Sequence, residues 1–155
     1  MSQKDRGPGV KIPPPLIYLF FALVGYGIES VRPAGLFGLS EVPFLAYALI
    51  LAGLLIAITA ALHFWRAKTH IEPWQPASQL ITCGIFSYSR NPIYLAFILV
   101  TLGAGLLLNS LWITLSVIPA TLCLYQWVIR KEEHYLEQRF GDTYLQYKQS
   151  VRRWF

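Results

Sequence analysis

Charge is scarce in this chain. Asp, Glu, Lys and Arg make up 14% of its 155 residues, while hydrophobic residues make up 55%. Soluble domains carry about 25% charged residues, so an ordinary water-soluble core is excluded. Cysteine is nearly absent too. Cys83 and Cys123 form no CxxC pattern, which excludes a disulfide framework, and Cys123 inside an apolar run reads as a small hydrophobe. His63, His70 and His134 lack metal-ligand spacing, so no metal is expected. There is no Walker loop, no Gly-x-Gly-x-x-Gly and no Gly-x-Ser-x-Gly, which removes the usual nucleotide-cradling loops and the hydrolase serine. A basic face on a water-soluble module is also missing, so no nucleic-acid partner is expected.

What is present is apolar sequence in four blocks, at 16–28, 42–64, 92–108 and 111–129. A membrane-spanning helix needs about 20 apolar residues. The second block is long enough and the last two are adequate. The first is short, but Pro13-Pro14-Pro15 can start its helix and Glu29 to Val31 can extend it. Lys4, Arg6 and Lys11 ahead of that block also fit a secretory leader, the less favoured reading. The expected fold is therefore an all-α integral membrane protein with four transmembrane helices in a single domain, 1–155. Residues 1–12 read as a mobile tail, 13–63 as two spans, and 64–155 as the motif-bearing region.

Only Asn109-Ser110 separates the third and fourth blocks, which predicts an antiparallel helical hairpin. Pro119 falls inside the fourth block and is expected to kink it. From Arg130 to Phe155 the chain is amphipathic, with Leu136, Phe140, Tyr144, Tyr147, Val151 and Trp154 on one face. Gly141-Asp142 should divide this tail into two helices, and the tail should lie over the end of the bundle. With four spans, twelve of the thirteen Lys and Arg residues fall on one side, and only Arg32 falls opposite. The positive-inside rule then puts both termini in the cytoplasm, as in a bacterial-type inner membrane, with anionic headgroups as partners.

Two polar clusters stand out against this background. In Arg90-Asn91-Pro92, Pro92 suits the first turn of a helix and Asn91 can cap it. Arg90 then lies beside a helix N-terminus, a good place for a carboxylate or phosphate. A boundary arginine on lipid phosphate explains the same residues equally well. The second cluster is Arg130-Lys131-Glu132-Glu133. Its acids follow the spacing of Ile129, Leu136 and Phe140, and carboxylates facing inward need a partner. A solvated charge run is the plainer reading. The hairpin would bring both clusters to one end of the bundle.

Thr82-Cys83-Gly84-Ile85-Phe86, Tyr88, Arg90-Asn91-Pro92 and Tyr94 come first in the chain. Arg130, Glu132-Glu133, Leu136, Phe140-Gly141, Tyr144 and Tyr147 follow after the hairpin. This ordered pair resembles the isoprenylcysteine carboxyl methyltransferase family, part of a wider membrane group that includes phospholipid N-methyltransferases. The resemblance implies S-adenosyl-L-methionine as methyl donor and a lipid-soluble acceptor. It places Arg90 and Glu133 at the reacting centre, with Gly84, Tyr88, Asn91, Pro92, Tyr94, Glu132 and Leu136 around the cofactor. Glu133 is the favoured acid for cofactor contact, but the sequence does not separate it from Glu132. Two positions depart from the pattern. Asn91 stands where the eukaryotic enzymes have His, and Ile85 replaces a common Pro. The reaction type therefore carries over and the prenylated-protein substrate does not. Two alternatives stay open: an NADPH-dependent membrane reductase related to sterol reductases, and a non-enzymatic assembly factor.

Overall fold

The computed structural model describes residues 7–36 and 43–154. Lys4, Arg6 and Phe155, used in the orientation and tail readings, lie outside them. Among the described residues all regular structure is helical. Helix α1 runs Pro14–Val31, with proline in its first turn where no N–H is missed. Helix α2 is Pro43–Arg66. A 3-10 turn at Gly84–Ser87 precedes α3, Pro92–Leu107, which opens on Pro92 as the sequence predicts. The Asn91 side chain, however, makes no cap hydrogen bond and donates to the Arg153 carbonyl instead. Helices α4 (Leu111–Leu124), α5 (Arg130–Phe140) and α6 (Asp142–Ser150) complete the chain.

The two-residue link does produce a hairpin. Helix α3 ends at Leu107, α4 starts at Leu111, and the two pack together. Helix α2 lies along α3, and α1 lies along α4. Gly53 lets α2 and α3 approach. A Cβ there would stand 2.8 Å from Val100 Cγ2 and 2.9 Å from the Ala96 carbonyl oxygen, so only a small residue fits this close helix contact.

Three helical stretches are long and apolar enough to cross a membrane: Pro14–Val31, Pro43–Arg66 and Leu111–Phe140. Helix α3 has 16 residues, about 24 Å at 1.5 Å per residue, which is shorter than the roughly 30 Å hydrocarbon layer. The third stretch also departs from expectation, because no separate tail begins at Arg130. The helix passes through a π turn at Tyr125–Ile129 straight into α5. No Gly or Pro lies between Thr121 and Phe140 to stop it, and the π turn takes up one extra residue without ending the helix. The apolar part, Leu111–Ile129, is about 29 Å long. Helix α5, with six charged residues in eleven, projects beyond it. The first break comes at Gly141, at φ +51°, a backbone region that glycine enters without penalty.

Val10, Ile17, Tyr18, Tyr94, Ala120, Leu124, Val128 and Ile129 form the main buried cluster. Val10 falls in the segment expected to be mobile, yet it is only 4% exposed. Cys123 packs against the same cluster. Tyr144, Tyr147 and Val151 form a second cluster with Leu80, Leu136 and Phe140, which seats α6 against α5 and the loop 67–83.

A polar latch closes the opposite end of the bundle. Ser110 Oγ donates to Glu29 Oε2 at 2.5 Å, and Glu29 Oε1 accepts from the Ala34 N–H at 2.8 Å. Asn109 Oδ1 accepts from the Leu36 N–H, and Trp112 Nε1 donates to the Arg32 carbonyl. Ser110 also caps α4 by accepting from the Ile113 N–H.

Candidate active site

At the other end the first turn of α3, the middle of α5, helix α6 and the loop over them enclose a cavity of about 330 Å³. Its walls are mostly apolar: Pro14 and Pro15 of α1, Ile93 and Phe97 of α3, Leu136 of α5, and Trp74 and Leu80 of the loop. The loop is held in place where Tyr135 Oη accepts from the Ala77 N–H, and where Ser78 is tied to Lys68 and Thr69. Arg90, Asn91, Pro92, Tyr94, Glu132, Glu133 and Leu136 all line the cavity. Residues of the two sequence clusters therefore meet, through the hairpin between them.

Gly84 and Tyr88 stand apart from the lining. Tyr88 is 79% exposed. Gly84, at φ +62°, is pressed against the His63 ring, and His63 is held in turn by the Thr59 carbonyl and stacks edge-on against Phe86.

The two acids take different partners. Adjacent helical residues diverge by about 100°, so they cannot share one face. Glu132 turns toward α3 and accepts the Tyr94 hydroxyl on both oxygens, at 2.7 and 2.8 Å. Burial pushes its carboxyl up to about 7. The Tyr94 hydrogen bond opposes the rise, and the neighbouring Glu133 charge adds to it. Glu133 turns toward two arginines. Arg90 Nη1 lies 3.1 Å from its Oε1, and Arg153 reaches both oxygens from Nε and Nη2 at 2.9 Å each. Burial works against the Glu133 carboxylate, but the Arg153 hydrogen bonds and the charges of Arg90, Arg153 and Lys148 hold it below its ordinary value.

Arg90 is the centre of the cluster. Its side chain is 9% exposed. Its Nη1 also donates to Tyr144 Oη at 3.4 Å. Burial and the Glu133 charge push the Tyr144 phenol up to about 12, so it stays protonated. Arg90 Nε is buried with no hydrogen-bond partner among the described residues. Buried donors are rarely left this way, and Arg90 is also a residue of the cavity lining.

Arg153 is the participant that sequence reasoning missed. Its carbonyl accepts from Ser89 Oγ and Asn91 Nδ2, and the Arg152 carbonyl accepts from the Arg90 N–H. Its guanidinium lies 4.9 Å from the centre of the Tyr125 ring. The segment after α6 thus crosses the Arg90 loop. Among the described residues, no group of three His, Cys, Asp or Glu side chains could hold a metal ion.

The phospholipid methyltransferase family model matches residues 42–143, which include both clusters. An uncharacterized protein of Haemophilus influenzae is 45% identical over 62 residues, covering 40% of this chain and 98% of that protein. The protein-S-isoprenylcysteine O-methyltransferase of Schizosaccharomyces pombe is 38% identical over 72 residues, covering 46% of this chain and 30% of that enzyme. A probable protein-S-isoprenylcysteine O-methyltransferase of Oryza sativa subsp. indica is 29% identical over 133 residues, covering 80% of this chain and 68% of that protein. The chain thus spans less than a third of the fission-yeast enzyme and about two thirds of the rice protein. With the family model matched over 102 consecutive residues, about two thirds of the chain, the chain belongs to the phospholipid methyltransferase family.

Proposed function

We propose that this chain is a membrane methyltransferase that moves a methyl group from S-adenosyl-L-methionine to a lipid-soluble acceptor. The observation that carries the reading is that Arg90 and Glu132, a fixed cation and an acid from the two clusters, line one cavity, in a member of this family. The donor set suits the cofactor. Arg90 offers a charged N–H for its carboxylate. Glu132 accepts only from Tyr94 among the described residues, so it retains lone pairs for an ammonium or for ribose hydroxyls. Glu133 is occupied by both arginines and holds Arg90 in place, so Glu132 is the acid free to meet the cofactor. Asn91, Pro92 and Leu136 shape the cavity beside them.

The cofactor, when bound, supplies an electrophilic methyl on a sulfonium. The protein's part is to bind, orient and exclude water. Apolar walls from α1 and α3 suit a greasy acceptor that enters from the bilayer. The acceptor atom can be a carboxylate oxygen, a headgroup nitrogen or a thiol sulfur, since each leaves the same walls satisfied. In this reading α3 serves as a fourth span, shortened because its first turn is part of the site. Helices α5 and α6 lie on the cytoplasmic face with the basic residues.

Isothermal titration of the purified chain in detergent with S-adenosylhomocysteine tests the reading. Binding in the micromolar range is expected, and no heat at millimolar ligand would sink it. Labelled S-adenosylmethionine added with total membrane lipid then identifies the acceptor.

A further inference from the structure

We propose that Arg153 is a positioning residue that keeps Arg90 open toward the cavity for an anionic ligand group. The proposal rests on the methyl-transfer reading only for the identity of the natural anion.

The geometry of Glu133 carries it. Arg153 takes both carboxylate oxygens, Oε1 through Nε and Oε2 through Nη2, each at 2.9 Å. Arg90 is left with one contact, Nη1 to Oε1 at 3.1 Å. An arginine facing a carboxylate alone settles into a two-bond fork, which is the stronger arrangement. Without Arg153, Glu133 could offer that fork to Arg90. The guanidinium would then be neutralised and its Nε–H could be consumed. With Arg153 present, two arginines share one carboxylate, leaving a net charge of +1, and Arg90, a residue of the cavity lining, keeps hydrogen-bonding capacity unspent among the described residues.

The segment around Arg153 is anchored so that this division holds. Arg152 and Arg153 carbonyls tie down the backbone of Arg90 and the side chains of Ser89 and Asn91. Val151 is buried beside Tyr144 and Tyr147, and Trp154 packs against the main core. The Arg153 guanidinium is steadied over the Tyr125 ring. Arg153 is therefore held from three sides, whereas Arg90 keeps an unpaired donor among the described residues. Residue 153 lies beyond the stretch that the family model matches.

The test is isothermal titration of the full chain with S-adenosylhomocysteine and, separately, with inorganic phosphate as a plain anion. Wild type, Arg153→Lys, Arg153→Ala and the double variant Arg153→Ala with Glu133→Gln are compared. Circular dichroism checks that each is helical. Arg153→Ala should weaken anion binding about tenfold to a hundredfold. Arg153→Lys should fall between, since an ammonium cannot fork across two oxygens. The double variant should recover much of the loss, because the competing carboxylate is gone. A merely structural arginine predicts additive losses instead. Unchanged affinity in a folded Arg153→Ala, or additive losses in the double variant, overturns the proposal. If Arg153→Ala does not fold, Arg153→Lys decides by the same comparison, and wild-type affinity there overturns the proposal. Phosphate binding that depends on Arg153, with no S-adenosylhomocysteine binding, upholds the positioning role and overturns the cofactor reading. If wild type binds neither ligand, both fall.

Discussion

The bundle carries a polar cluster at each end, and the two differ in how completely they are satisfied. At one end Glu29 spends one oxygen on Ser110 and the other on the Ala34 N–H. Asn109 and Trp112 are likewise joined to the backbone of the α1–α2 connection. At the other end, among the described residues, Arg90 keeps a buried N–H without a partner, and Glu132 has a single donor for two oxygens. Both clusters join residues far apart in sequence, and both contain a carboxylate near a helix start. What separates a latch from a site is unspent hydrogen-bonding capacity beside a cavity. A stability role uses every donor, whereas a binding role must keep some in reserve.

The comparison breaks most visibly at Arg90. Arg90→Ala should lower affinity for S-adenosylhomocysteine about a hundredfold or more, because a buried charge-assisted contact is lost. Glu133 remains paired with Arg153, so the fold should survive. Titration together with a melting curve separates the two effects.

Glu132 gives the next largest effect, and it appears as pH dependence. Its folded value of about 7 lies above the ordinary carboxyl value of 4.5. Between those values the folded chain holds a proton that the unfolded chain has lost, so stability falls as pH rises through that window. Affinity for a cationic ligand group should move the other way and increase from pH 6 to pH 8, as the carboxylate forms. Glu132→Gln should flatten that profile and bind about tenfold more weakly at pH 8. Tyr94→Phe removes the hydrogen bond that lowers the Glu132 value, so the rise should shift to higher pH.

The smallest effect belongs to the latch. Ser110→Ala removes the α4 cap and one Glu29 partner, and should cost about 1–2 kcal/mol of stability. A lower melting temperature with S-adenosylhomocysteine affinity within twofold of wild type is the expected result. A latch variant that lost ligand affinity as severely as Arg90→Ala would remove the distinction between the two ends.

Sequence alone reached the meeting of the two clusters, because a two-residue link leaves two apolar helices little choice but an antiparallel hairpin. It also reached the helix start at Asn91-Pro92 and the break at Gly141. It missed that Glu132 and Glu133 part company, since their spacing to apolar neighbours placed both on one broad face. The continuous passage from α4 into α5 was hidden as well. A change from apolar to charged residues marks a change of surroundings, not the end of a helix, and nothing in Tyr125–Ile129 announces a π turn. Arg153 was the least legible residue. Its contact with Glu133 depends on where the chain lands after α6, and periodicity within a helix carries no information about that landing.

The unbroken passage through the π turn has a geometric consequence. A helix that leaves the bilayer without a hinge acts as a ruler. Glu132 and Glu133 stand three and four residues past Ile129, about 4.5–6 Å along the axis. Arg90 sits just ahead of α3, itself too short to rise further. On the membrane reading these fixed lengths hold the chemistry at one altitude, level with lipid headgroups. An acceptor whose reactive atom rides deeper or higher would then miss the site, whatever its shape.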